Sequence, residues 1–461
     1  MRAIADHALI GDCHSSALID KAGSVSWACF PRFDSPSVFC RILDEERGGS
    51  FDVRPHDVTS ICRAYLDGTN VLVTTFTCAQ GVLEVTDCMP VQATGPTPGE
   101  VRPCASILRR LRCTDGTVSV DVSLTPRFEY GRFVPRFRCA TPTTGQIVGG
   151  ADALWVSATR PLQCHPEAIS GSWSLTADES AWVDVAWSPS VEERAPEDMP
   201  GEAELADRLQ QTIDFWRHWL ANCAYDGDYR EQVLRSALTL KALIYAPSGA
   251  VVAAPTTSLP EEIGGERNWD YRYTWIRDAT LTLCSLVVLG FEEEAAAFKA
   301  WLERTGAGRP QDLQIMYGIC GERMLPEIEL DHLDGHRGSR PVRVGNGAVK
   351  QLQLDCYGQL LQSAYLFGRL GGELTDDNWA FLSGLADIVV DRWKEPDQGI
   401  WEVRDEGRHF VHSKLNCWMA LDRAVRIAEA RGQGADAGPW RRERDALAAY
   451  LVEEAAADGW F

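Results

Sequence analysis

The chain lacks any long apolar run and is poor in positive charge. None of its 461 residues lies in a stretch of about eighteen consecutive apolar residues, the length that a membrane-spanning helix needs. Residues 1–20 also lack the basic and apolar regions of a signal peptide. Lysine and arginine number 45 against 66 acidic residues, giving a formal net charge of −21. Because nucleic acids and anionic membranes bind clustered positive charge, we expect neither as a partner, and we expect a cytoplasmic protein with a neutral ligand.

Sequence motifs of several common enzyme classes are also absent. The phosphate loop G-x-x-x-x-G-K-[ST], the dinucleotide fingerprint G-x-G-x-x-G and the nucleophile elbow G-x-S-x-G do not occur. His332 with His336, and His409 with His412, have the spacing of metal-ligand pairs. Both pairs lie in polar, loop-like sequence, which favours structural or substrate-contacting roles. We therefore predict no metal site.

Fifteen cysteines are present, yet no C-x-x-C pair occurs and the spacings are wide and irregular. Zinc sites and disulfide frameworks of small domains depend on closely and regularly spaced cysteines. Four of the cysteines occupy positions where a strand would take Val or Ala, namely Cys78, Cys88, Cys113 and Cys139. We therefore expect reduced thiols in the core rather than metal ligands or redox-active pairs.

Residues 1–200 are predicted to form an antiparallel β-sandwich. Short runs such as NVLVTTFTCA, GVLEVTDCM and TVSVDVSLTP alternate apolar and polar residues, and turn signals such as Asp115-Gly116 separate them. Many such strands without a helical period between them are typical of a sandwich. In the segment 201–225 the period changes to about 3.6 residues, which indicates a linker helix. Its apolar stripe consists of Leu205, Leu209, Ile213, Trp216 and Leu220.

Beyond this linker we assign residues 226–461 to one α-helical domain. Its predicted helices, rich in Ala and Leu, span about residues 228–246, 279–289, 292–305, 355–370, 376–394, 414–430 and 439–457. Long and short links alternate between them, and antiparallel helices joined in this way place every long link at one end of the assembly. A solenoid would show a sequence repeat, and we find none, so we predict an α/α toroid.

The three long links, 247–278, 306–354 and 395–413, each combine Trp or Tyr with Arg and a carboxylate. The stretch ERNWDYRYTWIRDA at 266–279 is the densest example. Flat aromatic rings stack on the C–H faces of a sugar, whose hydroxyl groups need charged or amide partners. Since loops gathered on one rim of a rigid scaffold commonly carry binding and catalysis, the links indicate a sugar-binding surface.

Glu402 is the candidate general acid. It follows Trp401 and lies between aliphatic neighbours, surroundings that suit a carboxyl group which donates a proton to a leaving oxygen. The alternative is an ordinary loop carboxylate that pairs with Arg404 or Arg408. Spacing alone does not decide between the two.

Arg277 and Asp278 together offer a donor fork and an acceptor, which are sufficient to hold two sugar hydroxyls. Asp278 is equally a candidate N-cap for a helix that begins at Ala279, and the two roles can coexist. His412 and Lys414 are further candidates for rim residues that orient a hydroxyl, with a purely structural role as the alternative.

Five blocks of the sequence together resemble glycoside hydrolase family 15, the group of glucoamylases, glucodextranases and bacterial-type trehalases. They are IADHALIGDCHSSALIDKAGSVSWACFPRFDSPSVFCRILDEERGGSF, RNWDYRYTWIRDA, MYGICGER, HLDGHRGSRPVRVGN and GIWEVRDEGRHFVHSK. The resemblance covers essentially the whole chain and implies an N-terminal β-sandwich, a linker helix and an (α/α)6 barrel. It also implies inverting hydrolysis of an α-glucosidic bond without an organic cofactor.

By position, the resemblance makes Glu402 the general acid, and makes Arg277 and Asp278 the pair that holds the terminal glucose hydroxyls. Tryptophans of the first and third links would line the cleft. The predicted substrate-binding residues are Arg277, Asp278, Trp275, Trp269, Trp401, Tyr317, Arg404, His412 and Lys414.

One part of the family pattern has no counterpart in this sequence. An inverting hydrolase needs a second carboxylate, about 6.5–9.5 Å from the first, to take a proton from the attacking water. No block that matches this base is present, and the sequence ends after seven of an expected twelve helices. We therefore expect an incomplete toroid with poor autonomous stability and little hydrolysis.

Two other functions are compatible with the sequence. An inverting α-glucoside phosphorylase needs only one carboxylic acid, because phosphate itself is the nucleophile, and a non-catalytic sugar-binding fragment needs none. The sequence does not distinguish trehalose from maltose or longer α-glucans as the ligand, and it leaves the oligomeric state open.

Overall fold

The chain is described by a computed structural model. It covers residues 1–94, 101–192, 199–306, 309–369, 372–434 and 436–457. Two compact units are present, which we call the β-rich unit and the helical unit. The β-rich unit consists of Met1–Pro247, Ala254–Arg272 and Ile328–Val344, and the helical unit of Ser248–Ala253, Tyr273–Glu327 and Gly345–Phe461. The predicted order, a β-rich N-terminal part followed by a helical C-terminal part, is confirmed.

The β-rich unit is built from short strands separated by turns. They are β1 (His7–Gly11), β2 (Ser16–Asp20), β3 (Ser24–Cys29), β4 (Ser37–Phe39), β5 (Ser50–Pro55), β6 (Val58–Tyr65), β7 (Leu72–Cys78), β8 (Gly81–Cys88), β9 (Val91–Ala93), β10 (Val101–Pro103), β11 (Ser106–Thr125), β12 (Arg136–Thr141), β13 (Thr144–Gly149), β14 (Asp152–Ala158), β15 (Gln163–His165), β16 (Ala168–Thr176) and β17 (Ser180–Pro189). A helical turn, α1 (Phe128–Gly131), follows β11.

The long strand β11 connects two antiparallel groups of strands. Its first half pairs with β17 and β8, and its second half pairs with β16 and β5. The first group continues from β17 to β14, β13 and β12, and the second from β5 to β3, β2 and β1. Alternating side chains of both groups, such as Val53, Val85 and Val122, lie in one apolar core. The alternation of apolar and polar residues therefore places one face of each group against that core.

A charged pair lies inside this core. Arg109 and Asp87 are both fully buried, and the guanidinium donates from Nε and Nη2 to the two carboxylate oxygens at 2.8 and 3.2 Å. Its remaining donors reach the carbonyls of Phe51 and Gly23 at 2.9 and 2.8 Å. Through these four hydrogen bonds the arginine ties β11 to β8, to β5 and to the turn before β3.

The expectation of reduced core thiols does not hold for every cysteine. Cys62 and Cys320 are free but exposed. Cys139 on β12 and Cys164 on β15 form a disulfide, and their Cα atoms lie 5.8 Å apart. The sequence spacing gave no sign of the pairing, because the two strands approach each other only in the folded unit. Cys78, Cys88 and Cys113 are buried in strands, as predicted.

Each predicted helix overlaps an observed one. The linker helix is α2 (Glu202–Leu220), and it is followed by α3 (Arg230–Ala242), α4 (Ile276–Val288), α5 (Glu292–Thr305), α6 (Asp355–Arg369), α7 (Asp376–Arg392), α8 (Val411–Ala430) and α9 (Gly438–Ala457). Helix α3 belongs to the β-rich unit, and α4 to α9 belong to the helical unit. Over the described ranges, no helix combines the length and the apolarity that crossing a membrane requires.

Short two-residue strands accompany the links. They are β18 (Ile244–Tyr245), β19 (Ala250–Val251), β20 (Thr274–Trp275), β21 (Met316–Tyr317), β22 (Ile328–Glu329) and β23 (Arg343–Val344). Within the helical unit, β20 pairs with β21, and this pairing fixes the segment that leads into α4. In the β-rich unit, β22 pairs with β23.

Candidate active site

Three helices of the helical unit bring their first turns together. Helix α6 packs against both α4 and α8, and each of the three follows a long link. Arg277 in the first turn of α4 lies 3.3 Å, from Nη1 to Oδ2, from Asp355 at the start of α6. The Nδ1 atom of His412 on α8 lies 3.8 Å from the same carboxylate oxygen. The alternating links therefore place three helix N-termini around one polar cluster, as the sequence indicated for this end of the helices.

Glu402 and Trp275 form the centre of this cluster. The indole Nε1 of Trp275 donates to Oε1 of Glu402 at 2.6 Å. Trp275 is the buried N-cap residue of α4, and only 2% of its surface is exposed. The Glu402 side chain keeps 18% of its surface exposed. A carboxylate held by a buried ring while part of it reaches solvent is suited to exchange a proton with a ligand.

Arg277 connects most of the acidic groups of the cluster. Its Nη2 lies 3.2 Å from Asp278 and 3.5 Å from Oε1 of Glu402, in addition to the Nη1 contact with Asp355. Burial lowers the pKa of this guanidinium, but attraction to Asp278, Asp355 and Glu402 outweighs burial and raises the pKa above its ordinary value. Arg277 is therefore a permanent cation shared by three carboxylates.

Two glutamines complete the surroundings of Glu402. Gln353 is buried, accepts from Arg277 Nη1 at 2.8 Å and donates to Glu402 Oε1 at 3.1 Å. Gln351 donates to the main-chain carbonyls of Glu402 and Val403 at 3.3 and 3.1 Å. The segment before α6 thus holds both the side chain and the backbone of the candidate acid.

Asp355 and Asp397 are acidic residues that the sequence reasoning missed, and both are fully buried. Burial raises the pKa of Asp355, although the charges of Arg277 and His412 act in the opposite direction. Asp397 accepts from the backbone N–H of Leu354 at 3.0 Å and from the hydroxyl of Ser413 at 2.8 Å. Asp397 therefore links the segment before α6 to the first turn of α8.

A sequence signal for the missed residues does exist. The run QLQLD at 351–355 alternates polar residues with leucine, and in an extended segment this places Gln351, Gln353 and Asp355 on one side. Because the run leads directly into an amphipathic helix, its pattern predicts the segment that precedes a helix and does not by itself indicate a site. Its polar side faces the cluster in the structure.

Two predicted substrate-binding residues have buried side chains whose polar groups bond to the protein main chain. Lys414 is buried, and its ammonium donates to the carbonyls of Trp393 and Glu395 at 2.5 and 2.6 Å. Tyr317 has no exposed surface, and its hydroxyl accepts from the backbone N–H of Gln314 at 2.8 Å. Neither side chain presents a surface to a ligand in this structure, because each lies in a packed interior that local sequence does not reveal.

The remaining candidates lie in different surroundings. Arg404 donates to Glu327 and Asn346 at 3.0 and 3.1 Å. Trp401 is 70% exposed. Trp269 belongs to the β-rich unit, where the guanidinium of Arg343 lies 4.4 Å above its ring. These positions leave their predicted roles in sugar binding as proposals.

Two local expectations need correction. Asp278 is not an N-cap, because α4 begins at Ile276 and Trp275 occupies the N-cap position. The indole that holds Glu402 belongs to Trp275 of the first link, whereas the preceding Trp401 is largely exposed. The main chain at Glu402 has a φ of 51°, in the left-handed region.

The described residues contain no group of three or more His, Cys, Asp or Glu side chains arranged to hold a metal ion. The cluster instead joins a partly exposed carboxyl, an arginine with an adjacent carboxylate and buried amide and indole donors. This combination is typical of carbohydrate-active enzymes, in which a carboxylic acid protonates a glycosidic oxygen while charged groups hold the sugar hydroxyls.

Comparison with known proteins identifies the family. The sequence profile of Glycosyl hydrolases family 15 matches residues 227–460, and that of the trehalase-like N-terminal domain matches residues 1–160. Trehalases of Mycolicibacterium smegmatis and Mycobacterium tuberculosis are 39% and 37% identical to the chain over 97% and 98% of its length. The aligned regions cover 70% and 68% of those two proteins. The chain therefore belongs to glycoside hydrolase family 15, a family of glycosidases.

Solved structures show weaker similarity. The glucoamylase from Saccharomycopsis fibuligera aligns with 56% of this chain and 51% of its own chain, at a TM-score of 0.33 and 18% identity. A putative kojibiose phosphorylase from the human microbiome aligns with 94% of this chain and 67% of its own, at a TM-score of 0.47 and 8% identity.

Proposed function

We propose that the chain acts on the α-glucosidic bond of trehalose, with Glu402 as the general acid and with inversion at the anomeric carbon. The observation that carries this proposal is the geometry of Glu402, whose carboxyl is held by Trp275 and Gln353 beside Arg277. Support for trehalose comes from the trehalases that are 39% and 37% identical to the chain.

In the proposed reaction, Glu402 gives its proton to the glycosidic oxygen as the C–O bond breaks. Water attacks the anomeric carbon from the opposite face and gives up a proton to a second carboxylate, for which the sequence has no matching block, so we expect slow hydrolysis by this chain. Arg277 and Asp278 would hold hydroxyl groups of the reacting glucose, and Trp401 would contact its C–H face. Asp278 and Asp355 are both paired with Arg277, so we assign neither as the base.

We further propose that the hairpins of the helical unit form the wall of an (α/α)6 toroid, with α4, α6 and α8 on its inner side. The mutual packing of α4 with α6 and of α6 with α8 supports this order, as does the contact of α7 with α9. In this arrangement α4, α6 and α8 all begin at the polar cluster around Glu402.

The decisive experiment incubates the purified chain with trehalose and with maltose and follows the products by proton NMR. Inverting hydrolysis releases the cleaved glucosyl unit as β-glucose before mutarotation equilibrates the anomers. The variant Glu402→Gln should lose about 10²–10⁴-fold in kcat, because its amide cannot supply the proton. Glu406→Gln, which changes an exposed carboxylate of the same link, is the matched control and should retain activity.

Other outcomes would select the alternatives. Turnover that survives in Glu402→Gln would remove the assignment of the acid. Release of glucose 1-phosphate that depends on added phosphate would indicate a phosphorylase. Saturable trehalose binding that is unchanged in Glu402→Gln, with no release of glucose, would indicate a sugar-binding protein.

A further inference from the structure

We propose that Gln353 is a positioning residue that fixes which oxygen of Glu402 carries the catalytic proton. The inference rests on the proposed function, since it assigns Gln353 a part in proton donation by Glu402. Gln353 lies just before α6, and its amide bridges the side chains of Arg277 and Glu402.

The orientation of the Gln353 amide follows from its partners. Its neighbour at 2.8 Å is Nη1 of Arg277, and a guanidinium can only donate hydrogen bonds. The amide oxygen must therefore face Arg277, which directs the NH2 group the other way. That NH2 group donates to Oε1 of Glu402 and to Oε1 of Gln351, both at 3.1 Å. Because the side chain is buried and three of its hydrogen bonds are made, the amide has one stable orientation.

The consequence for Glu402 is an asymmetry between its two oxygens. Oε1 accepts from the indole of Trp275 at 2.6 Å and from the amide of Gln353 at 3.1 Å, and Nη2 of Arg277 lies 3.5 Å away. None of these three nitrogen groups can accept a proton. A proton on Oε1 would take one of the two lone pairs that accept these donors and so displace one of them, whereas a proton on Oε2 leaves both in place. The protonated acid therefore presents its O–H from Oε2.

The segment that carries Gln353 is itself held firmly. The backbone N–H of Leu352 donates to the side chain of Gln398 at 3.0 Å, and that of Leu354 donates to Asp397 at 3.0 Å. The carbonyl of Leu352 accepts from the backbone N–H of Gln398 at 3.0 Å. Bonds on both sides of residue 353 thus fix the place from which its amide acts on Glu402.

Two substitutions separate the functions of this amide. Gln353→Met has similar volume and removes both ends of the bridge, so kcat for trehalose should fall about 10²-fold as the acid loses its orientation. Gln353→Glu keeps an oxygen for Arg277 but loses the donor to Glu402, so kcat should fall while KM stays within about threefold. Gln362→Met is the control, because it removes a glutamine–arginine hydrogen bond on α6, that with Arg423, away from Glu402.

Proton donation is isolated by comparing two substrates whose leaving groups differ in their need for a proton. Fluoride leaves without protonation, so both Gln353 variants should retain α-glucosyl fluoride hydrolysis within about fivefold of the wild-type rate. Equal losses on trehalose and on α-glucosyl fluoride, or no loss on either, would overturn the inference while leaving the proposed function intact. Urea unfolding of each variant identifies any loss that reflects misfolding alone.

If the wild-type chain hydrolyses neither substrate, the proposed function is contradicted. The role of Gln353 can then still be tested by a measurement that needs no turnover. The indole N–H resonance of Trp275, identified by its absence in Trp275→Phe, reports the position of the Glu402 carboxylate. The resonance should shift in Gln353→Met and Gln353→Glu and stay in place in Gln362→Met. An unchanged resonance in both Gln353 variants would refute the positioning role.

Discussion

Replacing Lys414 by methionine tests whether this residue supports the fold or binds the substrate. Its place at the end of the third polar stretch made it a candidate rim residue for sugar binding, with a structural role as the alternative, and the structure buries it. Its ammonium donates to the carbonyls of Trp393 and Glu395, which lie at and just after the C-terminal end of α7. A cation at this place also interacts favourably with the negative end of the helix dipole. We therefore expect Lys414→Met to destabilise the protein and to leave substrate affinity unchanged.

The magnitude follows from the two hydrogen bonds. Hydrogen bonds from a charged donor contribute about 1.5–3 kcal/mol each, and two acceptors left unsatisfied in the interior cost a similar amount. Against this, methionine avoids the burial of a charge, which lowers the pKa of the Lys414 ammonium. The net loss in unfolding free energy should be about 2–4 kcal/mol.

The assay is urea unfolding of the variant beside a matched control. Lys394→Met removes a lysine that is 70% exposed and lies 3.7 Å from Glu443, so it should change the unfolding free energy by less than about 1 kcal/mol. Initial rates on trehalose complete the comparison. If Lys414→Met unfolds at the wild-type urea concentration and its KM rises, the structural assignment of Lys414 is refuted.

Three further predictions concern other parts of the chain. Arg109→Met should lower the unfolding free energy by about 3–5 kcal/mol in urea titrations, because Asp87 is left charged and buried without its partner. Burial lowers the pKa of His336, so its contribution to stability is present above about pH 6.5 and is lost as the pH falls through the folded-state value. His336→Gln should therefore flatten the acid side of the stability profile, whereas exposed His218→Gln should not. Trp401→Ala should raise the KM for trehalose about two- to tenfold in steady-state assays, with unfolding changed by less than about 0.5 kcal/mol.

The helices were predictable from sequence because their buried faces repeat with the helical period. The predicted starts of α4 and α8, at residues 279 and 414, are each three residues later than the observed starts at Ile276 and Val411. In both helices the first turn carries polar residues of the cluster around Glu402, so the apolar stripe begins only after it. In these two helices the polar residues of the site therefore hide the N-terminus from a search for apolar periodicity, whereas the start of α6 was predicted at the observed residue, Asp355.

The chemistry of the site was only partly predictable. Glu402, Arg277 and Trp275 stand in blocks that resemble the family, and the structure brings these three side chains together. Lys414 and Tyr317 also lie in matching blocks, but their side chains are buried in the interior. Burial therefore distinguishes these two residues from the three that meet in the cluster. No local pattern of charge or aromatic residues distinguishes a lysine that contacts a ligand from one that donates to the end of a neighbouring helix.

Glu402 has a strained backbone conformation, and this strain bears on the role of its side chain. Its φ of 51° lies in the left-handed region, which costs a residue with a side chain about 1–2 kcal/mol relative to its usual conformation. The turn persists because Gln351 donates to the carbonyls of Glu402 and Val403, and because the N–H of Glu402 donates to the carbonyl of Gly399 at 3.2 Å. Glycine would occupy this position without strain. A glutamate at this position therefore adds strain without helping the turn, and its side chain is held by Trp275, which supports the proposal that Glu402 is the proton donor.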